Sequence, residues 1–178
     1  MLRPFDMIMT WPRKWNFISW FIIWITRGGP SHVRVYAKGL GIIDPETGKE
    51  FEFFELTWPK GRFGFMEEVS PKEYQIEYGR HSELFYPLPE ELRDKGIAAM
   101  KELNGTLYDV GELGFSQFFD QIGLDHTDQS DPEKKVCSSA AEYILTCMNF
   151  PFCPSDELVS PQDIRKSNFY VKVKEGGE

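Results

Sequence analysis

The chain has 178 residues and a formal net charge of −8, and 41% of its residues are hydrophobic, 27% charged and 15% aromatic. This length predicts one domain with a real core, spanning residues 1–178, and the apolar content excludes intrinsic disorder as a description of the whole chain. The acidic balance argues against a nucleic-acid binder, because neutralising phosphates requires a basic surface.

Three cysteines, Cys137, Cys147 and Cys153, suit neither a disulfide framework nor a zinc site, because their number is odd and their spacing matches no zinc motif. A reducing compartment is the simplest explanation. The most apolar run, residues 17–25, is shorter than the roughly 20 residues of a transmembrane helix, and no small-residue cleavage pattern follows it. We therefore expect a cytoplasmic protein.

The first predicted elements are a strand and a helix. The apolar run 5–9, closed by Trp11-Pro12, predicts a strand. Residues 16–26 have helical spacing but are apolar nearly all round. Such a helix either lies in the core beneath a sheet or lies against a lipid surface, and the sequence leaves both open.

Two neighbouring strands are predicted next. Residues 31–37 alternate, so that His32, Arg34 and Tyr36 share one face. Residues 51–57 form a second β-rich run, which we expect to pair with the first in antiparallel fashion. The register stays open, because residues 40–43 fit either an extension of the first strand or the loop.

The remaining elements alternate between strands and helices, and their order is typical of an α+β domain whose helices pack on an antiparallel sheet. Pro89 at a helix start and Asn104-Gly105 at its end bound the clearest helix. The other predictions are strands at 62–68, 74–78 and 83–86, a helix from about 109, a loop at 125–135, a helix at 137–148, a short helical start at 160 and a strand at 168–173.

Cys137 is the first candidate for chemistry. It lies in the first turn of the predicted helix, where backbone N–H groups favour a thiolate and can bind an oxyanion. Small Ser138 and Ser139 leave room beside it. The alternative is a buried structural cysteine, which is the interpretation favoured for Cys147 and Cys153.

A thiol nucleophile needs a base, usually an imidazole held by a third polar group. His32 begins a strand directly after a turn, whereas His81 and His126 lie in polar segments where we expect solvated side chains. Glu55 lies mid-strand among apolar residues, where an unpaired carboxylate would be costly to bury. If its strand pairs with that of His32, Glu55 can hold the imidazole in one tautomer; otherwise it is an exposed carboxylate on an edge strand.

The order of these elements resembles the circularly permuted papain-like proteins, including the YiiX/YebB-like group of the NlpC-type superfamily and, more remotely, lecithin retinol acyltransferase. The resemblance covers residues 5 to 173 and rests on five matching segments. They are Phe5-Asp-Met-Ile-Met-Thr10, Ser31-His-Val-Arg-Val-Tyr36, Phe54-Glu-Leu56, Leu107-Tyr-Asp109 and Val136-Cys-Ser-Ser-Ala140.

This resemblance implies an antiparallel sheet or half-barrel with packed helices and a nucleophile at a helix N-terminus. Cys137 would be the nucleophile, His32 the general base and acid, Glu55 the residue orienting His32, and Tyr108 a group binding the substrate carbonyl or oxyanion. Arg34 departs from the family, which usually has glycine there, and it would narrow the cleft or recruit an anionic substrate.

The implied activity is a cysteine hydrolase that cleaves an amide bond, such as that of a cell-wall peptide, through an acyl-enzyme, with no metal or cofactor. Two alternatives stay open: a lipid acyl hydrolase or acyltransferase, and a binding module without catalysis that holds a peptide or lipid. The expected partner is a small peptide or acyl-lipid substrate, with a membrane surface as an open alternative.

Overall fold

The computed structural model describes residues 2–12, 29–57, 62–66, 74–108, 134–135, 137–153 and 159–173. The predicted helices at 16–26 and from 109, most of the predicted loop at 125–135, and His126 lie outside these ranges. No helix within the described ranges is long and apolar enough to cross a bilayer.

The strands of the described residues form one sheet. They are β1 (Met7–Pro12), β2 (His32–Tyr36), β3 (Phe53–Thr57), β4 (Arg62–Met66), β5 (Tyr74–His81), β6 (Leu107–Tyr108), β7 (Lys134–Lys135) and β8 (Tyr170–Val173). Their order across the sheet is β7, β6, β4, β3, β2, β1, β5, β8. Neighbours are antiparallel, apart from the short parallel pair β6 and β7. The predicted pairing of β2 with β3 is thereby confirmed.

Three helices complete the described fold: α1 (Glu90–Leu103), α2 (Cys137–Cys147) and α3 (Pro161–Lys166). Helix α1 ends at its C-cap Asn104, as predicted, whereas Pro89, predicted as the first helical residue, is the N-cap before Glu90. Ser160 and Asp163 form a reciprocal capping box at the start of α3. The α+β class with a mainly antiparallel sheet is confirmed.

The centre of the sheet is deeply buried. Residues 7–10 of β1, which lies between β2 and β5, are at most 2% exposed. Apolar residues of these strands and of the two longer helices share one core, which includes Met7, Met9, Val33, Val35, Phe54, Ala99, Met100, Leu103, Ala141, Ile144 and Leu145. The strands that carry the predicted site residues therefore lie inside the molecule.

Two predicted strand bounds differ from the structure. β1 begins two residues later than predicted, because Phe5 has a φ of 68°, which lies outside the extended region. It also continues to Pro12, which pairs in register with Tyr74 at the end of the strand, a position that tolerates proline. Residues 40–43 belong to the loop, where Ile43 forms an isolated bridge with Glu50.

The predicted strand at 83–86 is wrong. The segment turns directly after β5, where the Leu84 N–H donates to the carbonyl of His81. Leu84 is buried and the Tyr86 hydroxyl donates to the Pro4 carbonyl. The alternation in the sequence therefore reflects side chains that reach inward from a turn, and none of the described strands pairs with this segment.

The prediction of a solvated His81 is also wrong, because the side chain lies in the core at 1% exposure. Its ring stacks on Phe169 with centroids 4.9 Å apart. Its Nε2 bonds the Pro151 carbonyl at 3.1 Å and its Nδ1 accepts the Glu83 N–H at 3.3 Å. These two bonds use both ring nitrogens of a neutral imidazole.

Candidate active site

The pairing of β2 with β3 brings the predicted polar residues together. Val35 lies opposite Phe54 and Tyr36 opposite Phe53. One step further along the same register, Arg34 faces Glu55, and His32 lies diagonally from it. Because direct and diagonal neighbours across a strand pair are within reach of long side chains, Glu55 can contact both.

Glu55 and His32 are hydrogen-bonded, with 3.2 Å between Glu55 Oε2 and His32 Nε2. The imidazole is one-fifth exposed, whereas the carboxylate is 9% exposed. An ionised carboxylate only accepts hydrogen bonds, so Nε2 carries the proton that it donates to Glu55. This bond fixes both the orientation of the ring and its tautomer.

Arg34 pairs with the same carboxylate, because its Nε contacts Glu55 Oε2. Both side chains are less than one-tenth exposed. Burial alone would raise the pKa of Glu55, but the hydrogen bond with His32 and the positive charges of His32 and Arg34 outweigh it and lower that pKa. Glu55 is thus a buried carboxylate that stays ionised.

Cys137 is the first residue of α2 and is 3% exposed. Helix α2 packs on β2, and the Cys137 side chain hydrogen-bonds His32. Burial lowers the pKa of His32, but the negative charge of the Cys137 sulfur and the hydrogen bonds with Cys137 and Glu55 raise it to about 9. The raised pKa favours a protonated His32 imidazole beside the Cys137 sulfur.

The structure brings Cys137, His32, Glu55 and Arg34 into one connected cluster. The Arg34 side chain is buried against Glu55 and does not lie at the mouth of a cleft. Its contact is with the residue that holds the histidine, and its predicted contact with an anionic substrate stays a prediction.

Tyr108, the other predicted site residue, belongs to the two-residue strand β6. Its backbone lies beside Lys135 of β7 in the parallel register. Lys135 precedes Cys137 by two residues, so the backbone of Tyr108 lies along the segment that leads into α2. Its role in binding the substrate stays a prediction.

Thr10 is a neighbour of His32 that the sequence did not single out. It lies directly opposite His32 in the pairing of β1 with β2. Its side chain is fully buried, and its hydroxyl bonds no other group among the described residues. A polar residue directly after the apolar run 5–9 was the only sign of it in the sequence.

No protein-family model and no curated protein matches the sequence. Among solved structures, the chain is similar to one described as metalloprotein yiiX from Escherichia coli O157:H7, DUF1105. The two chains are 17% identical, the match covers 97% of each, and the TM-score is 0.52. At this identity the likeness shows a yiiX-like fold, in agreement with that part of the sequence prediction.

Proposed function

We propose that this protein is a cysteine hydrolase with a circularly permuted papain-like fold that cleaves an amide bond through an acyl-enzyme. The observation that carries this proposal is the unbroken series of contacts from Cys137 through His32 to Glu55. A nucleophile, a base and a group that orients the base are the parts that such catalysis requires.

In the first half of the reaction, the Cys137 sulfur attacks the carbonyl carbon and the C–N bond of the amide breaks. His32 holds the proton that left the thiol and donates it to the departing nitrogen. Backbone N–H groups at the start of α2 are suitably placed to stabilise the oxyanion, because none of them has a partner within the helix.

In the second half, His32 accepts a proton from water while the water oxygen bonds to the acyl carbon. The bond between carbon and sulfur then breaks and leaves the Cys137 thiolate, while His32 keeps the proton as the imidazolium. Glu55 acts on this cycle through His32: it keeps one tautomer in place and stabilises the imidazolium. Arg34 in turn keeps Glu55 ionised, so both are positioning residues.

The order of the elements supports the permuted arrangement within this proposal. The strand that bears His32 precedes the helix that bears Cys137, which reverses the usual papain order. Because α2 packs on β2, the base on β2 lies directly beside the start of α2. The yiiX-like fold is compatible with this arrangement.

The yiiX structure is described as a metalloprotein, so the chemistry of the residues around His32 bears on whether a metal could bind here. The described residues contain no group of three or more His, Cys, Asp or Glu side chains that could hold a metal ion. Next to His32, the Glu55 oxygen that could ligate a cation is paired with the Arg34 guanidinium. The described residues therefore do not fit a metal centre, and no step is assigned to one.

The acyl-enzyme itself is the most informative species to trap. The full chain is mixed with peptidoglycan-derived peptides or with phosphatidylcholine vesicles, quenched in acid and mapped by mass spectrometry. We expect a peptide acyl group on Cys137, absent in Cys137→Ala and retained in the matched variant Cys147→Ala. A fatty acyl group on Cys137 would select the lipid alternative, and no adduct from either source would contradict acyl transfer.

A further inference from the structure

The Thr10 hydroxyl is a buried polar group beside the catalytic base of the proposed reaction. Thr10 is 0% exposed, and its Oγ1 lacks a hydrogen-bond partner among the described residues. Buried hydroxyls in folded proteins are nearly always hydrogen-bonded. An unpartnered hydroxyl therefore indicates that a polar molecule binds beside it and completes its hydrogen bonding.

The register places this hydroxyl on the side of His32 that faces away from Glu55. β2 lies between β1 and β3 in the sheet. Glu55 approaches His32 from β3 and uses Nε2, whereas Thr10 lies directly opposite His32 on β1. Residues directly opposite each other have Cβ atoms about 5 Å apart and share a face of the sheet. A small molecule bonded to Oγ1 is therefore within reach of the imidazole.

The neighbouring Ser31 hydroxyl, unlike that of Thr10, has a hydrogen-bond partner. Ser31 Oγ donates to the Thr10 carbonyl at 3.2 Å, and the Ser31 N–H donates to the same oxygen at 2.9 Å. These bonds fix the backbone of Thr10 against the start of β2. Thr10 thus has a rigid backbone and a hydroxyl left available, as expected for a residue that positions a ligand.

We propose that Thr10 positions the water that resolves the acyl-enzyme, an inference that rests on the proposed function. Thr10 Oγ1 accepts a hydrogen bond from one O–H of the water, and His32 takes the proton of the other. The water oxygen bonds to the acyl carbon, and the bond from that carbon to Cys137 Sγ breaks with its electron pair on the sulfur. The products are a carboxylic acid and the Cys137 thiolate beside the His32 imidazolium.

This role separates the two halves of the reaction, because attack by the thiolate requires no water. Loss of the hydroxyl should slow deacylation and leave acylation unchanged. Misplacing a reacting group typically costs up to about a hundredfold in rate, so we expect deacylation to slow by about ten- to a hundredfold.

The test uses p-nitrophenyl acetate with the full chain. The burst of p-nitrophenolate reports acylation, and the steady rate reports deacylation. Thr10→Val, which preserves shape, should keep the burst rate, lower the steady rate and accumulate acetyl-Cys137 by intact mass. Thr10→Ser should restore the steady rate, and the control Thr47→Val, which removes an exposed hydroxyl bonded to Asp44 in the loop after β2, should retain the wild-type ratio of the two rates. Thr10→Ala serves as a second variant without the hydroxyl if the valine does not fold.

The outcomes distinguish this inference from the proposed function. If wild-type protein shows neither a burst nor acetyl-Cys137, the cysteine hydrolase proposal fails and the role of Thr10 fails with it. If wild type forms acetyl-Cys137 but both Thr10 variants without the hydroxyl deacylate at the wild-type rate, only the role of Thr10 is overturned. An equal loss in both rates also overturns it, because the hydroxyl would then act on the shared machinery.

Discussion

One oxygen of Glu55 accepts hydrogen bonds from both neighbouring side chains, since His32 Nε2 and Arg34 Nε each contact Oε2. A single buried carboxylate therefore holds the proposed base and is itself held by a guanidinium. The three residues form a compact charged cluster in which the Arg34 charge offsets the cost of burying Glu55.

Arg34 is expected to stabilise the fold as well as the site. Arg34→Gln removes one partner of a buried ion pair, and such changes cost about 3 kcal/mol because a charge is left without compensation. We expect a loss of that size in the free energy of unfolding, measured by urea denaturation with the fluorescence of the tryptophans.

The matched control is Lys38→Gln, two residues after the end of β2. Lys38 pairs with Glu52 at 3.8 Å, but its side chain is 56% exposed. Exposed pairs contribute less than about 1 kcal/mol. If Arg34→Gln costs no more than Lys38→Gln, Arg34 does not stabilise Glu55 as described.

For Arg34, the sequence predicts the face of the strand but not the contact that the side chain makes. Alternation along 31–37 predicts correctly that His32 and Arg34 share a face. The partner of Arg34 depends on the register between β2 and β3, which the sequence left open. The contact of Arg34 with Glu55 was therefore not predicted, and its role in narrowing the cleft or recruiting an anionic substrate stays a prediction.

At the scale of elements, Glu77 on β5 ties the C-terminal segment to the sheet. Its carboxylate accepts hydrogen bonds from Arg165 of α3 at 2.8 Å and from Lys172 of β8 at 2.8 Å. The Tyr170 hydroxyl donates to it at 3.2 Å. Lys172 thereby places a charged side chain on β8, the last strand of the described sheet, a feature that discourages pairing with other chains.

The Glu77 cluster predicts a dependence of stability on pH. Burial raises the pKa of Glu77, but the hydrogen bonds and charges of Arg165 and Lys172 lower it to about 2. A depressed folded pKa gives stability that is present above about pH 4.5, the ordinary value of a glutamate, and lost as the pH falls towards 2. Glu77→Gln should therefore cost about 2 kcal/mol at pH 7, a value that allows for screening of the partly exposed cations.

The difference between wild type and Glu77→Gln should shrink steadily below pH 4.5 in urea titrations at each pH. Glu91→Gln is the control, since Glu91 forms an exposed i,i+4 pair with Lys95, and its difference from wild type should be much smaller than that of Glu77→Gln at every pH. A Glu77→Gln deficit that stays constant down to pH 2 would contradict the ionic origin of this stabilisation.

The structures of His81 and of residues 83–86 could not be predicted from the residues next to them in the sequence. The polar neighbours of His81 predicted exposure, yet three aromatic rings from distant segments surround it, those of Phe150, Phe152 and Phe169. Contacts with such distant segments cannot be predicted from the few residues on either side of His81. Strongly periodic elements, such as α1 and α2, were predicted to within one residue because packing and caps agree there.

At the scale of the molecule, the site joins two distant parts of the chain. His32 and Glu55 come from neighbouring strands in the first third of the sequence, and Cys137 comes from a helix near its end. The order of the elements could be predicted from the sequence, because each element carries its own periodicity. The distances within the site could not, since they depend on how α2 packs on β2.

The proposed function requires that Cys137 and His32 form a reactive thiolate–imidazolium pair. Since the pKa of His32 is raised to about 9, the imidazolium persists through neutral pH and favours the thiolate where an ordinary thiol is protonated. Cys153 provides an internal reference, because burial and the negative charges of Glu142 and Asp163 raise the pKa of its thiol to about 11.

The most direct measurement is labelling with limiting iodoacetamide at pH 6.5, followed by peptide mapping of all three cysteines. We expect Cys137 to be alkylated at least about tenfold faster than Cys153, and this advantage to disappear in His32→Ala. Equally slow labelling of Cys137, Cys147 and Cys153 in the wild-type protein would contradict an activated thiol, because a sulfur that iodoacetamide cannot alkylate at this pH cannot attack an amide carbonyl either.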